Sequence, residues 1–214
     1  MAEIIETAVY GLEELSEEAK EKARDWYRQG TFDDDWYWAV YSDFEQICDI
    51  LGISLATVPV RLFGGGSRRK PCIWFSGFAS QGDGACFEGG YSYARGSARS
   101  IRGYAPKDEE LHRIADTLQK GQWNNFFQLS ARITHRGRYY HEYSMEIGID
   151  RDSPVYQAMT ATAEDDISEA LRDLARWLYG KLEDEHDYLN SDEVVDEAII
   201  ANGYSFTEDG ERFG

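Results

Sequence analysis

Apolar and polar residues alternate along this chain with two different periods. Towards both ends, apolar residues recur every three or four positions, which is typical of helices with one buried face. In the middle they alternate with a period of two between Gly-containing turns, which is typical of strands joined as hairpins. The pattern predicts strands at 3–10, 57–63, 71–79, 85–93, 126–135 and 139–149, helices at 17–29, 34–51, 108–120, 163–189 and 192–201, a mobile loop at 94–104, and a last strand or hairpin at 204–213.

The order of these elements predicts the fold class. Consecutive strands fall into hairpins, and hairpins build antiparallel sheets. We therefore expect an α+β fold in which an antiparallel β-sheet built from hairpins has helices packed on one face. No internal repeat or clear linker divides the chain, so we expect a single α+β domain over 1–214, with acidic helical ends and a basic, Gly-rich β middle at 57–104.

Charge is distributed unevenly along the chain. Its 40 Asp and Glu against 22 Lys and Arg give a net charge of −18, with −10 in residues 1–60, +5 in 61–103 and −12 in 163–214. An acidic face repels long nucleic acid and attracts proteins with a basic surface, so we expect a partner of the second kind. The candidate partner-binding residues are Asp33, Asp34, Asp35, Glu183, Asp184, Glu185 and Asp187.

The basic middle offers a second kind of binding site. Arg and Tyr residues interleave there, which is the composition used for phosphate contacts and base stacking. A short nucleotide suffers less than DNA or RNA from the repulsion of the acidic ends, so a small phosphorylated ligand is the alternative partner. The candidate anion- or nucleotide-binding residues are Arg68, Arg69, Lys70, Arg95, Arg99, Arg102, Tyr91 and Tyr93.

The sequence contains none of the usual motifs for metal binding or nucleophilic catalysis. The three cysteines, Cys48, Cys72 and Cys86, form no CxxC pair, and there is no HExxH motif and no nucleophile elbow. We expect no catalytic residue, no metal and no cofactor, and hence a binding protein rather than an enzyme. The odd, sparse cysteines and the absence of a signal peptide predict a reduced protein in the host cytosol, and no apolar run is long enough for a membrane span.

Two motifs resemble a family of phage and prophage proteins that are often labelled antitoxins of toxin–antitoxin stability systems. One is LSEEAKEKA at 15–23, followed by Trp26 and Tyr27, and the other is FSGFASQGDGACFEG at 75–89. The resemblance covers about the first 95 residues. It implies a small intracellular protein of a mobile element that acts by binding, and it carries over no site residue.

Three functions follow as hypotheses. The first is a phage-type anti-defence inhibitor that binds a host defence or toxin protein through its acidic surface, as anti-CRISPR proteins and nucleic-acid mimics do. The second is a sponge that sequesters a small nucleotide immune signal in the basic middle. The third is the antitoxin of a toxin–antitoxin pair. The sequence leaves open which face binds, and whether the SQGDGA turn has a function or only shapes the backbone.

Overall fold

The computed structural model describes residues 7–30 and 35–214, and it confirms the α+β class. Its helices are α1 (Glu17–Gly30), α2 (Trp38–Leu51), α3 (Ser97–Tyr104), α4 (Glu109–Asn124), α5 (Ala163–Leu189) and α6 (Asp192–Ala201), with 3-10 turns at Leu12–Glu14 and Glu142–Ser144. Its strands are β1 (Ile53–Leu55), β2 (Thr57–Arg61), β3 (Ser67–Pro71), β4 (Ile73–Phe75), β5 (Ala85–Phe87), β6 (Gly89–Ser92), β7 (Leu129–His135), β8 (Met145–Arg151), β9 (Ser205–Phe206) and β10 (Arg212–Phe213).

Contacts divide the chain into two compact units. The first unit joins the two chain ends, residues 1–38 and 184–214, and the second unit is the continuous segment 39–183. None of the helices in the described ranges has the length and apolar character that crossing a membrane requires.

The second unit contains a four-stranded antiparallel sheet in the order β1-β6-β7-β8. Along β7, Leu129, Ala131 and Ile133 are buried, whereas Arg132 between them is exposed. Because successive side chains of a strand point to opposite faces, one face of the sheet is covered and the other meets solvent. Two separate hairpins, β2-β3 and β4-β5, complete the strands of this unit.

The helices of the second unit form because their apolar positions share one face. On α5, Ile167, Leu171, Leu174, Leu178 and Leu182 are all fully buried, as the sequence pattern predicts. The N-terminus of α4 is capped by Asp108, whose side chain accepts a hydrogen bond from the backbone N–H of Leu111 at 3.0 Å.

The first unit has a small core of its own, rich in aromatic side chains. Its central ring is Trp26, which lies 5.1 Å from Tyr204 and 5.9 Å from Phe206 between ring centroids, in edge-on geometry. The guanidinium of Arg212 stacks on the Trp26 ring at 4.8 Å. The buried residues of this core are Leu12, Leu15, Ala19, Ala23, Val195, Ile199 and Phe206.

Two predicted boundaries of the first 51 residues are wrong. No strand covers the described part of 3–10; residues 3–6 lie outside the described ranges, and Tyr10 forms only a single bridge with Phe206. The helix predicted from Asp34 begins at Trp38.

Two larger corrections concern the middle of the chain. The predicted mobile loop at 94–104 is largely helix α3, because Ala98 and Ile101 lie one turn apart on a buried face. The predicted strand at 139–149 begins only at Met145 and is preceded by a 3-10 turn. That turn buries Glu142, whose carboxylate forms an ion pair with Arg176 of α5.

Candidate functional site

The acidic residues predicted to bind a partner lie in two places. Asp33 and Asp34 are outside the described residues, and Asp35 is exposed. The other four lie in the last two turns of α5, where Glu183, Asp184 and Asp187 are exposed and Glu185 is half-buried; we call residues 183–187 the acidic helix end.

A ring contact joins the residue after Asp35 to the acidic helix end. The ring of Trp36, the residue after Asp35, lies 5.6 Å from the ring of His186 in α5. Asp35 therefore begins a segment that packs beside the acidic helix end.

Nearly all the net charge of the protein belongs to the first unit. Residues 1–38 and 184–214 contain 21 Asp and Glu against 5 Lys and Arg, a net charge of −16, whereas the second unit carries only −2. Since the first unit is about a third of the chain, its charge density is far above that of an ordinary domain.

One buried arginine joins the two acidic helices α1 and α6. Arg24 donates two hydrogen bonds of 2.7 Å to the carboxylate of Asp196 and also pairs with Glu21. The pairing with Asp196 is the main cause that raises the pKa of Arg24. Other carboxylates of these helices have no such partner in the described chain: Glu18, Glu193 and Glu197 are exposed and form no ion pair.

The acidic helix end works against the stability of its own helix. The backbone carbonyls at a helix C-terminus carry partial negative charge, and a carboxylate in the last turn costs about 0.3–1 kcal/mol. Asp187 lies in that turn, and Glu183 stands four residues before it as a like charge. Negative charge kept where the fold disfavours it is typical of a surface with another role.

The candidate anion-binding residues fall into separate elements. Arg68, Arg69 and Lys70 lie on β3. Arg95 precedes α3, which carries the other two arginines, Arg99 and Arg102.

Several of these candidates are engaged within the protein. Arg102 donates to Asp116 at 2.6 Å, and Arg69 donates to the hydroxyl of Thr57 at 2.6 Å. Tyr91 is 3% exposed and belongs to the core, so its ring is closed to a ligand, and Tyr93 stacks on Phe127 with 4.4 Å between centroids.

The SQGDGA segment is a loop shaped by side-chain hydrogen bonds. Asp83 accepts from the backbone N–H groups of Ala79 and Ser80 at 3.1 and 2.7 Å, and the hydroxyl of Ser76 accepts from the N–H of Gly84 at 3.1 Å. A Cβ at Gly84 would lie 2.9 Å from the ring of His141. These contacts account for Asp83 and Gly84 of the segment, and for Ser76 before it, by backbone geometry.

The cysteines are placed as buried packing residues. Burial raises the pKa of the Cys86 thiol to about 11 and also raises the pKa of Cys48 and Cys72. Nucleophilic attack requires the thiolate. Among residues 7–30 and 35–214, no three His, Cys, Asp or Glu side chains come together as a potential metal site.

We expect the native protein to resist thiol modification. At pH 8 all three thiols are protonated and buried, so iodoacetamide should label less than about one tenth of them in an hour, whereas the denatured chain should react fully. Mass spectrometry of both samples measures the difference. Rapid labelling of Cys86 alone in the folded protein would identify it as an activated thiol and contradict the burial argument.

Sequence reasoning missed an exposed group of aromatic side chains beside Tyr93. Trp123 is 70% exposed and Phe126 is 66% exposed, and both Phe126 and Phe127 have left-handed backbone with φ near 60°. A left-handed conformation is unfavourable for such residues. Here the N–H of Phe127 donates to the carbonyl of Gln122 at 2.7 Å, and the buried amide of the preceding Asn125 is hydrogen-bonded to Thr160. The only signal in the sequence is the Asn-Asn pair within Trp-Asn-Asn-Phe-Phe.

A buried ionic network was also missed. Asp173 and Glu142 are each 8% exposed, and Arg176 contacts both carboxylates, lying 3.3 Å from Glu142. Arg113 binds the other oxygen of Asp173 at 2.7 Å. Every one of these groups has a protein partner, so the network ties the 3-10 turn and α4 to α5.

The fold and its surfaces define an α+β protein with a strongly acidic first unit and a nearly neutral second unit. The chain belongs to the DUF8835 family, a domain of unknown function, whose model matches residues 36–192. No curated protein and no solved structure matches the chain. The match includes the whole second unit and the acidic helix end, whereas α1, most of α6 and the last hairpin lie outside it.

Proposed function

We propose that this protein is a non-catalytic inhibitor whose acidic first unit binds a basic surface of a host defence or toxin protein. The observation that carries the proposal is the net charge of −16 on residues 1–38 and 184–214. Basic surfaces of this kind line the nucleic-acid grooves of nucleases and related complexes, so the first unit acts as a nucleic-acid mimic. The three free, buried cysteines of the second unit suit action in the reducing cytosol of the host.

The position of the acidic helix end supports this role. Asp187 is exposed and lies where the helix dipole disfavours it, and Glu183, the last residue of the second unit, is an exposed like charge one turn before it. Removing both charges relieves the helix while weakening an electrostatic interface. Binding and stability should therefore respond in opposite directions to the same substitutions.

The nucleotide-sponge hypothesis receives less support from the geometry. Its candidate residues are divided between β3 and the α3 region, and Tyr91 is buried. The antitoxin hypothesis is a special case of the proposal in which the basic partner is a toxin.

We expect the double variant Glu183→Gln/Asp187→Asn to bind its partner about tenfold more weakly and to be more stable by up to about 1 kcal/mol. The tagged chain captures the partner from host lysate at low salt, and the purified pair is then measured by calorimetry at low and physiological salt. Binding should weaken as the salt concentration rises.

The matched control is Glu164→Gln/Asp165→Asn at the opposite end of the same helix. These two exposed carboxylates lie in the first turn of α5, where the dipole favours them, so the control should lose stability and keep its affinity. Partner binding that is independent of salt, or that has the same affinity in the Glu183→Gln/Asp187→Asn variant as in the native protein, would refute the acidic docking surface.

A further inference from the structure

The hairpin β2-β3 forms a basic ribbon on the second unit, defined by residues 57–71. Its two strands pair over five positions, from Thr57 opposite Pro71 to Arg61 opposite Ser67, and within residues 7–30 and 35–214 no further strand joins this two-stranded sheet. All nine residues from 61 to 69 are exposed, and Phe63 at the tip is 112% exposed. The ribbon is therefore an arm with a free end.

The base of the ribbon is fixed by backbone hydrogen bonds. The N–H of Ala56 donates to the carbonyl of Glu88 at 2.8 Å, and the N–H of Cys72 donates to Ala56 at 2.8 Å. The N–H of Glu88 completes the set by donating to Cys72 at 2.9 Å. Because both ends of the hairpin are held, the arm projects from a defined point.

The ribbon carries four basic residues and no acidic one. It carries Arg61, Arg68, Arg69 and Lys70, and the chain contains no Asp or Glu between Asp49 and Asp83. This is the longest acid-free stretch of a protein whose net charge is −18.

The register of the hairpin distributes these cations over both of its faces. Residues directly opposite each other share a face, so Arg69 lies with Arg61 on one face. Arg68 and Lys70 lie on the other face, opposite Val60 and Val58. An anionic membrane surface would contact one face alone, whereas a groove presents a phosphate wall to each face.

We propose that the basic ribbon binds duplex DNA by entering its major groove. Five residues of strand span about 17 Å, and the groove, about 12 Å wide and about 8.5 Å deep, admits a two-stranded ribbon. The cations of each face contact one phosphate wall, and Arg69 exchanges its hydrogen bond with the Thr57 hydroxyl for one with a phosphate. Leu62 and Phe63 at the tip reach the bases, where the thymine methyl group offers an apolar contact. All residues of the ribbon belong to the second unit, so this inference stands independently of the proposed function.

The test is a titration of labelled duplex DNA with the full chain, followed by fluorescence anisotropy between 0.05 and 0.2 M salt, roughly the range used for such measurements. Four phosphate contacts predict a slope of about −3.6 in log K against log salt, so a fourfold rise in salt should weaken binding about 150-fold.

The variant Arg68→Gln/Arg69→Gln/Lys70→Gln should bring the slope to about −1, because one contact remains. The control Lys22→Gln/Lys107→Gln/Arg138→Gln removes three exposed charges elsewhere and should leave the slope unchanged. Circular dichroism confirms that both variants fold. Equal slopes for the two variants would overturn the proposal, and so would the lack of any binding at the lowest salt.

Two further measurements distinguish duplex DNA from other anionic ligands. The major groove of duplex RNA is too deep and narrow for side chains to read, so duplex RNA should bind at least tenfold more weakly than DNA. Phe63→Ser should weaken DNA binding about tenfold with no change in slope. Equal or tighter binding to duplex RNA, or to vesicles with anionic headgroups, would replace the groove model with a general anion surface or a membrane surface.

Discussion

The Gly210→Ala variant should lose about 3–5 kcal/mol of folding free energy through the first unit. Gly210 has a φ of +85°, and a Cβ at this position would lie 2.1 Å from the carbonyl oxygen of Ala19 in α1. The added methyl group therefore meets backbone that cannot rotate away, in a conformation that alanine disfavours. Either the last hairpin or α1 must move, and the packing of the Trp26 core depends on both.

Gly203→Ala separates the two causes of this loss, the steric clash with α1 and the backbone strain at a positive φ. Gly203 also has a positive φ, +66°, but nothing lies within 4 Å of the added Cβ, so its substitution should cost about 1 kcal/mol. Urea denaturation gives both free energies, and hydrogen exchange shows whether the loss falls on the amides of α1 and α6. Similar costs for Gly210→Ala and Gly203→Ala would show that the hairpin does not press on α1.

The sequence predicts the elements whose determinants are local. The structure gives α5 and α6 the ranges 163–189 and 192–201, as the pattern predicts, because an apolar stripe defines the first and Ser191 and Asn202 bound the second. The hairpins follow from alternation and turn residues in the same way.

Elements that depend on distant contacts could not be predicted. The polar composition of 94–104 suggests a loop, yet α3 forms because Ile101 is buried and Arg102 pairs with Asp116 of α4. The union of the two chain ends likewise depends on pairs such as Tyr10 with Phe206, about two hundred residues apart. Only tertiary structure shows that the two acidic ends form one unit.

The candidate surfaces also differ in whether local sequence or distant contacts determine them. The acidic character of both ends is visible in the composition, whereas the exposed turn at Trp123 and Phe126 depends on a left-handed backbone beside the buried Asn125. The face on which each cation of the basic ribbon lies could be assigned only from the observed register, since a shift of one residue would exchange the two faces.

Arg176→Met should destabilise the second unit by about 3 kcal/mol. The guanidinium of Arg176 contacts Glu142, Asp173 and Glu169, and the first two of these carboxylates are almost fully buried. Removing the arginine leaves Glu142 with only the ring nitrogen of His141 at 2.9 Å, while Asp173 keeps Arg113. The cost is the desolvation of a carboxylate that has lost its cation.

Two comparisons test this interpretation. Arg136→Met breaks an ion pair whose arginine is 79% exposed and whose partner is Glu146, so it should cost less than about 1 kcal/mol and be masked by salt. The Arg176→Met loss should persist at high salt, because the buried carboxylates are poorly screened. Adding Glu142→Gln to Arg176→Met should restore part of the stability, since the uncompensated charge is gone. If the second substitution instead lowers the free energy of unfolding further, Glu142 stabilises the protein through contacts other than its ion pair.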